Sequence, residues 1–218
     1  MNKKTLIPAG VGIGVIIVAI ALIASGNNET QTIQEPENQP STLSFSYIDT
    51  NKDLQSTLDL QQIRMSSPLK LNGFSIEQYC TFFSDEALQK SIEYCTSTEL
   101  LDSQGQYLGN IHMVGAPSEP WYVIGVIQTN PTVSQLDEIK AVYRTMIEST
   151  VCECWEDESP GGFESVSDWI DAANSHHLEA ERITSKSEIS GIAQKNLLLE
   201  ITTNTEGYLW KFIIPVHN

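Results

Sequence analysis

Residues 6–24, LIPAGVGIGVIIVAIALIA, limit what this chain can fold into more than any other stretch. They carry no charge, and Lys3 and Lys4 precede them. At 1.5 Å of rise per residue, such a segment spans roughly 28 Å as a helix, close to the hydrocarbon core of a bilayer. A helix satisfies its own backbone in lipid, where water cannot. No Lys or Arg follows until Lys52. The positive-inside rule therefore puts residues 1–5 in the cytoplasm and everything after the span outside the cell. The expectation is a single-pass signal-anchor in the cytoplasmic membrane. The alternative is a secretory signal cut after Gly26, but the apolar run exceeds the usual h-region of about 7–15 residues. Gly10 and Gly14 have the small-xxx-small spacing that lets two such helices approach, which would give a homodimer.

Residues 25–42, SGNNETQTIQEPENQPST, hold a single large apolar residue, Ile33, and two prolines. They read as a disordered linker. Asn28-Glu29-Thr30 within it fits the N-glycosylation pattern.

Residues 43–218 are long enough to bury one core and read as the extracytoplasmic domain. The chain has 28 Asp and Glu against 12 Lys and Arg. All of the acidic residues lie beyond the span. That excess argues against nucleic acid as a partner, since binding phosphate needs a basic patch.

The four cysteines, Cys80, Cys95, Cys152 and Cys154, are even in number. In an oxidising exterior this suggests disulfides. Three pairings are open. Cys80–Cys95 is the favoured one, leaving Cys152 and Cys154 to each other or to another role.

Patterning gives the elements. LSFSYI, 43–48, alternates as a strand does, and 51–67 is a weak helix. Ser75 and Gln78 suit a capping box for a helix over 75–83, and a second short helix covers 85–92. Residues 94–101 and 107–114 flank a turn at Asp102–Gly105 and predict a hairpin. WYVIGVIQ, 121–128, suits a strand buried on both faces. Leu136, Ile139, Tyr143, Met146, Ile147 and Val151 form one stripe, so 135–152 is a helix capped by Ser134. An acidic loop, 153–162, leads to a second helix over 164–178. A strand over 182–193 and a hairpin of 196–203 with 208–216 close the chain. Both hairpins carry a Tyr-Leu pair after a turn ending in Gly, which ordinary hairpin chemistry explains without a duplication. The fold class is α+β: an antiparallel sheet with two consecutive amphipathic helices packed on one face, preceded by the N-terminal transmembrane helix.

Chemistry is sparse. A copper or zinc site could form from Cys152, Cys154, His176 and His177, soft thiolates with imidazoles. Against it, the second helix carries residues 152 and 176 apart, and one C-x-C is not a paired metal motif. Trp155 and Phe163 sit in the acidic loop outside any stripe and are candidate ligand or partner contacts, unless they fold down to close the helix pair. There is no G-x-S-x-G elbow and no H-E-x-x-H. His112, in a strand, reads as structural. The leading expectation is a non-enzymatic module binding a protein or small ligand. A copper- or zinc-binding envelope protein is the second reading. An envelope enzyme without a recognisable motif is the third.

Overall fold

The computed structural model describes residues 45–217. The span 6–24, Gly10 and Gly14, the linker 25–42 and Asn28 lie outside them. Among the described residues, no helix is long and apolar enough to cross a membrane.

Ser46 starts the first element. Its hydroxyl accepts from the Asp49 amide at 3.0 Å. Ser46 Oγ also donates to the Asp49 carboxylate at 2.7 Å. That local cap opens α1, Tyr47–Leu60. The strand expected over 43–48 is therefore absent where the chain is described. The alternation of Phe45 and Tyr47 reflects two rings that pack against the core from either side of the cap. Within α1, Leu54 and Leu58 fall one turn apart and are fully buried.

Two short strands follow, β1 (Arg64–Met65) and β2 (Leu69–Asn72). Next come α2 (Phe74–Tyr79) and α3 (Glu86–Ser91). The helix expected over 75–83 stops at Tyr79, and its N-cap is Gly73, with φ 53, rather than a Ser75 capping box. Asp85 caps α3 by accepting from the Ala87 and Leu88 amides at 2.8 and 2.9 Å. Both expected hairpins are present. The first is β3 (Tyr94–Leu101) with β4 (Tyr107–Ala116), which continues into β5 (Glu119–Thr129).

The stripe from Leu136 forms α4, Leu136–Thr150. Ser134 does not cap it, because its hydroxyl is engaged by the Asn130 side chain at 2.7 Å. The acidic loop contains a one-turn helix, α5 (Trp155–Glu158), and a 3-10 turn at Pro160–Gly162. Then come α6 (Val166–Glu179), β6 (Thr184–Ile192), β7 (Lys195–Asn204) and β8 (Gly207–Pro215).

All strands join one antiparallel sheet of eight, in the order β1-β3-β4-β5-β8-β7-β6, with β2 also paired to β3. The two meanders, β3-β4-β5 and β6-β7-β8, meet at their last strands. Side-chain alternation assigns the two faces. On β5, Val123 and Ile127 enter one layer and Ile124 the other; on β8, Phe212 and Ile214 enter the first and Ile213 the second. The first face is covered by α1, α4 and α6, with Trp169, Trp210, Tyr143 and Phe212 as its largest buried side chains. Each such side chain contributes roughly 1.5–3 kcal/mol by leaving water.

The fold is thus α+β on an antiparallel sheet, as expected. It differs in the helices: three long ones cover the first face, and α2 and α3 bring Ile76 and Ile92 onto the second. Pro215 pairs with Tyr122 of β5 and lies beyond the last β7 partner, Leu198 opposite Ile213, so its missing donor costs nothing.

Candidate functional site

The second face of the sheet carries the most chemistry. In the first hairpin, Cys95 lies opposite Val114 and Ser97 opposite His112. Cys95 and His112 are therefore diagonal neighbours on one face. The segment after α2 crosses this face and brings Cys80 to Cys95. They form the expected disulfide, with Cα atoms 6.6 Å apart. Both sulfurs and one ring nitrogen of His112 lie within 4.8 Å of one another.

Gln89 makes most of the hydrogen bonds that hold the crossing segment, and Lys211 Nζ adds one to the Phe82 carbonyl at 3.4 Å. Gln89 Oε1 accepts from the Phe82 and Phe83 amides at 2.9 and 3.1 Å, and its Nε2 donates to the Cys80 carbonyl at 2.9 Å. This ends α2 at Tyr79 and keeps 80–83 extended. It also seats the Phe82 ring 4.6 Å from the His112 ring. His112 is only 9% exposed. Its Nδ1 is buried with no hydrogen-bond partner. Burial lowers its pKa to about 4, so the imidazole is neutral at ordinary pH.

Beside the disulfide, α2 and α3 enclose a cleft of about 520 Å³. Ile76 and Ile92, both nearly buried, form its floor. Thr81, Glu77, Glu93 and Lys90 form a polar rim. On α2 itself, Phe74 and Tyr79 are 77% and 59% exposed. Lys90 pairs with Glu86 at 3.0 Å, but both ends lie in solvent, so the pair holds little.

Further along the same face, Glu200 bridges Lys211 at 2.8 Å and Lys186 at 3.1 Å. Burial pushes its carboxyl upward, but the hydrogen bonds and charges of the two lysines outweigh that and leave its pKa lowered.

The residues singled out in the sequence fall elsewhere. Cys152 and Cys154 are bonded to each other, so neither is a thiolate. His176 is exposed at the end of α6, beside Phe163 in a depression of about 190 Å³. His177 is buried with both ring nitrogens engaged, Nδ1 with Ser185 Oγ and Nε2 with Thr203 Oγ1, each at 2.9 Å. Burial lowers its pKa, and the neighbouring His176 adds to this. Among the described residues these four do not form a group close enough to share an ion; Cys80, Cys95 and His112 do.

Trp155 folds down. Its ring stacks on Trp169 at 5.7 Å, and its Nε1 donates to the Phe163 carbonyl at 3.2 Å. Phe163 is half-buried against the core. Trp155 and Cys152 share one small depression, and Phe163 and His176 another. Trp155 closes the joint between α4 and α6, while Phe163 sits between α6 and strands β6 and β7.

The sequence reading missed the α2–α3 cleft and the place of His112. A signal for the latter was present, since hairpin register puts His112 and Cys95 on one face. No family model matches this chain, and no curated protein or solved structure matches it significantly.

Proposed function

We propose that this chain is a non-enzymatic binding module whose α2–α3 cleft takes a small amphipathic ligand. In this reading, residues 6–24 anchor it in the cytoplasmic membrane with the folded domain outside. The observation that carries the proposal is the cleft. Its volume of about 520 Å³ lies in the range of small-molecule sites, and it pairs an apolar floor with a polar rim. Its walls are held in advance by the Cys80–Cys95 bond and the three Gln89 hydrogen bonds, which lowers the ordering cost of binding. Glu77 and Glu93 on the rim, together with a net charge of −16, favour a neutral or cationic ligand over an anionic one.

The test is a titration of the full-length chain in lipid nanodiscs, with isoleucine methyls labelled, against a short alkylammonium probe. The expected result is a saturable shift at Ile76 and Ile92, weakened by Glu77→Lys, which reverses an exposed rim charge. No saturable shift, or shifts confined to isoleucines of the helical face, would sink the proposal.

A further inference from the structure

Cys80, Cys95 and His112 form one buried group on the second face of the sheet. Its two sulfurs and an imidazole nitrogen lie within 4.8 Å of one another, a separation one ion can bridge. Three different segments supply the donors: the chain after α2, strand β3 and strand β4. Both cysteines are fully buried. An independent observation concerns His112. It is only 9% exposed, and its buried Nδ1 has no hydrogen-bond partner. Such an unsatisfied group is uncommon in a folded interior. The disulfide form thus holds both sulfurs beside an imidazole that carries a buried, unsatisfied ring nitrogen.

We propose that reduction of the Cys80–Cys95 disulfide converts this group into a buried three-coordinate site for monovalent copper. The reductant is an external dithiol, admitted to the buried bond by local opening of the α2–α3 segment. It breaks the S–S bond, delivers two electrons and two protons, and closes to its own disulfide, leaving two thiols on this chain. Copper(I) then displaces the two thiol protons. Two S–Cu bonds and one N–Cu bond form, and the metal is neither oxidised nor reduced. Donor chemistry selects the ion. Two thiolates and one imidazole suit a soft monovalent cation. Zinc takes four ligands in nearly all structural sites, and this group offers three donors. The Cys152–Cys154 pair lies outside the group, so the inference is independent of the earlier Cys152/Cys154/His176/His177 reading and of ligand binding in the cleft.

The experiment uses the full-length chain carrying Cys152→Ser and Cys154→Ser, so that one dithiol remains. It is reduced with a phosphine without oxygen and titrated with copper(I) against a chromophoric copper(I) chelator. Circular dichroism monitors the fold throughout. The expected result is one equivalent bound after reduction and none before. His112→Gln and His112→Leu should each weaken binding at least about tenfold while two thiols remain countable. X-ray absorption of the loaded protein should report two sulfurs and one nitrogen. The proposal is overturned if the reduced chain binds no copper or loses its folded spectrum. It is also overturned if both His112 variants bind as tightly as the parent, or if zinc competes out copper at equal concentration.

Discussion

The Phe82 ring lies 4.6 Å from the His112 imidazole, tilted by 49°, and closes it off from water. This contact makes His112 an acid-sensitive element of the oxidised protein. Burial lowers its pKa to about 4, while an unfolded chain keeps it near 6.5. As pH falls below about 6.5, the unfolded state takes up a proton first, and the folded state follows only near 4. Stability contributed by this residue is therefore constant above about 6.5, declines between about 6.5 and 4, and levels off below that. The loss is about 3 kcal/mol. Urea unfolding at pH 7 and pH 4 measures it, with His112→Leu as the comparison. The parent should lose more stability than the variant across that window, and parallel losses would refute the argument.

The two disulfides differ in what they contribute. Cys80 and Cys95 are 15 residues apart and close a loop that joins the α2–α3 excursion to the sheet. Cys152 and Cys154 are 2 residues apart and constrain almost no chain. Restricting the unfolded state is worth about 3 kcal/mol for the first loop and about half that for the second. Replacing each pair by alanines and comparing denaturant midpoints should show the larger loss for Cys80/Cys95. The reverse order would contradict the loop-entropy account.

His177 predicts a local weakness at the end of α6. Thr203 donates its hydroxyl proton to the Arg182 carbonyl at 3.1 Å. It can therefore only accept from His177 Nε2, which leaves Nδ1 to accept from Ser185. The ring sits at 1% exposure and ties α6 to β6 and β7 at once. His177→Ala leaves a cavity and two hydroxyls short of a partner, at a cost of about 2–3 kcal/mol. Hydrogen exchange should quicken first at the C-terminal turn of α6 and the start of β6. Uniform quickening across the sheet would argue against a local tie.

Much of this fold is legible in sequence because it rests on local periodicity. The α4 stripe and both hairpins follow from spacing and turn residues alone. The failures are equally physical. Phe45 and Tyr47 mimic a strand, and only the Ser46–Asp49 cap decides for α1. The α2–α3 excursion is placed by Gln89 and the Cys80–Cys95 bond, contacts that no period encodes. The same holds for the cleft it creates. Trp155 and Phe163 stand outside any stripe because the loop that carries them folds back onto Trp169.

The close approach of β4 and β5 supports a last prediction, at Gly109. A Cβ there would press on the Val126 carbonyl oxygen and sit 2.9 Å from the Ile127 Cα, both on the backbone of β5. Backbone in a central strand cannot yield without opening the ladder. Gly125 offers a contrast in the same pair of strands. Its Cβ would meet the Met146 sulfur and the Tyr143 ring, each at 2.8 Å, and these belong to side chains of α4. Methionine repacks more readily than a strand shifts. Gly109→Ala should cost about 3 kcal/mol or more, and Gly125→Ala about 1–2 kcal/mol. Thermal unfolding of the two variants decides the matter. If Gly109→Ala unfolds at or above the temperature of Gly125→Ala, then β4 and β5 do not pack as closely as described.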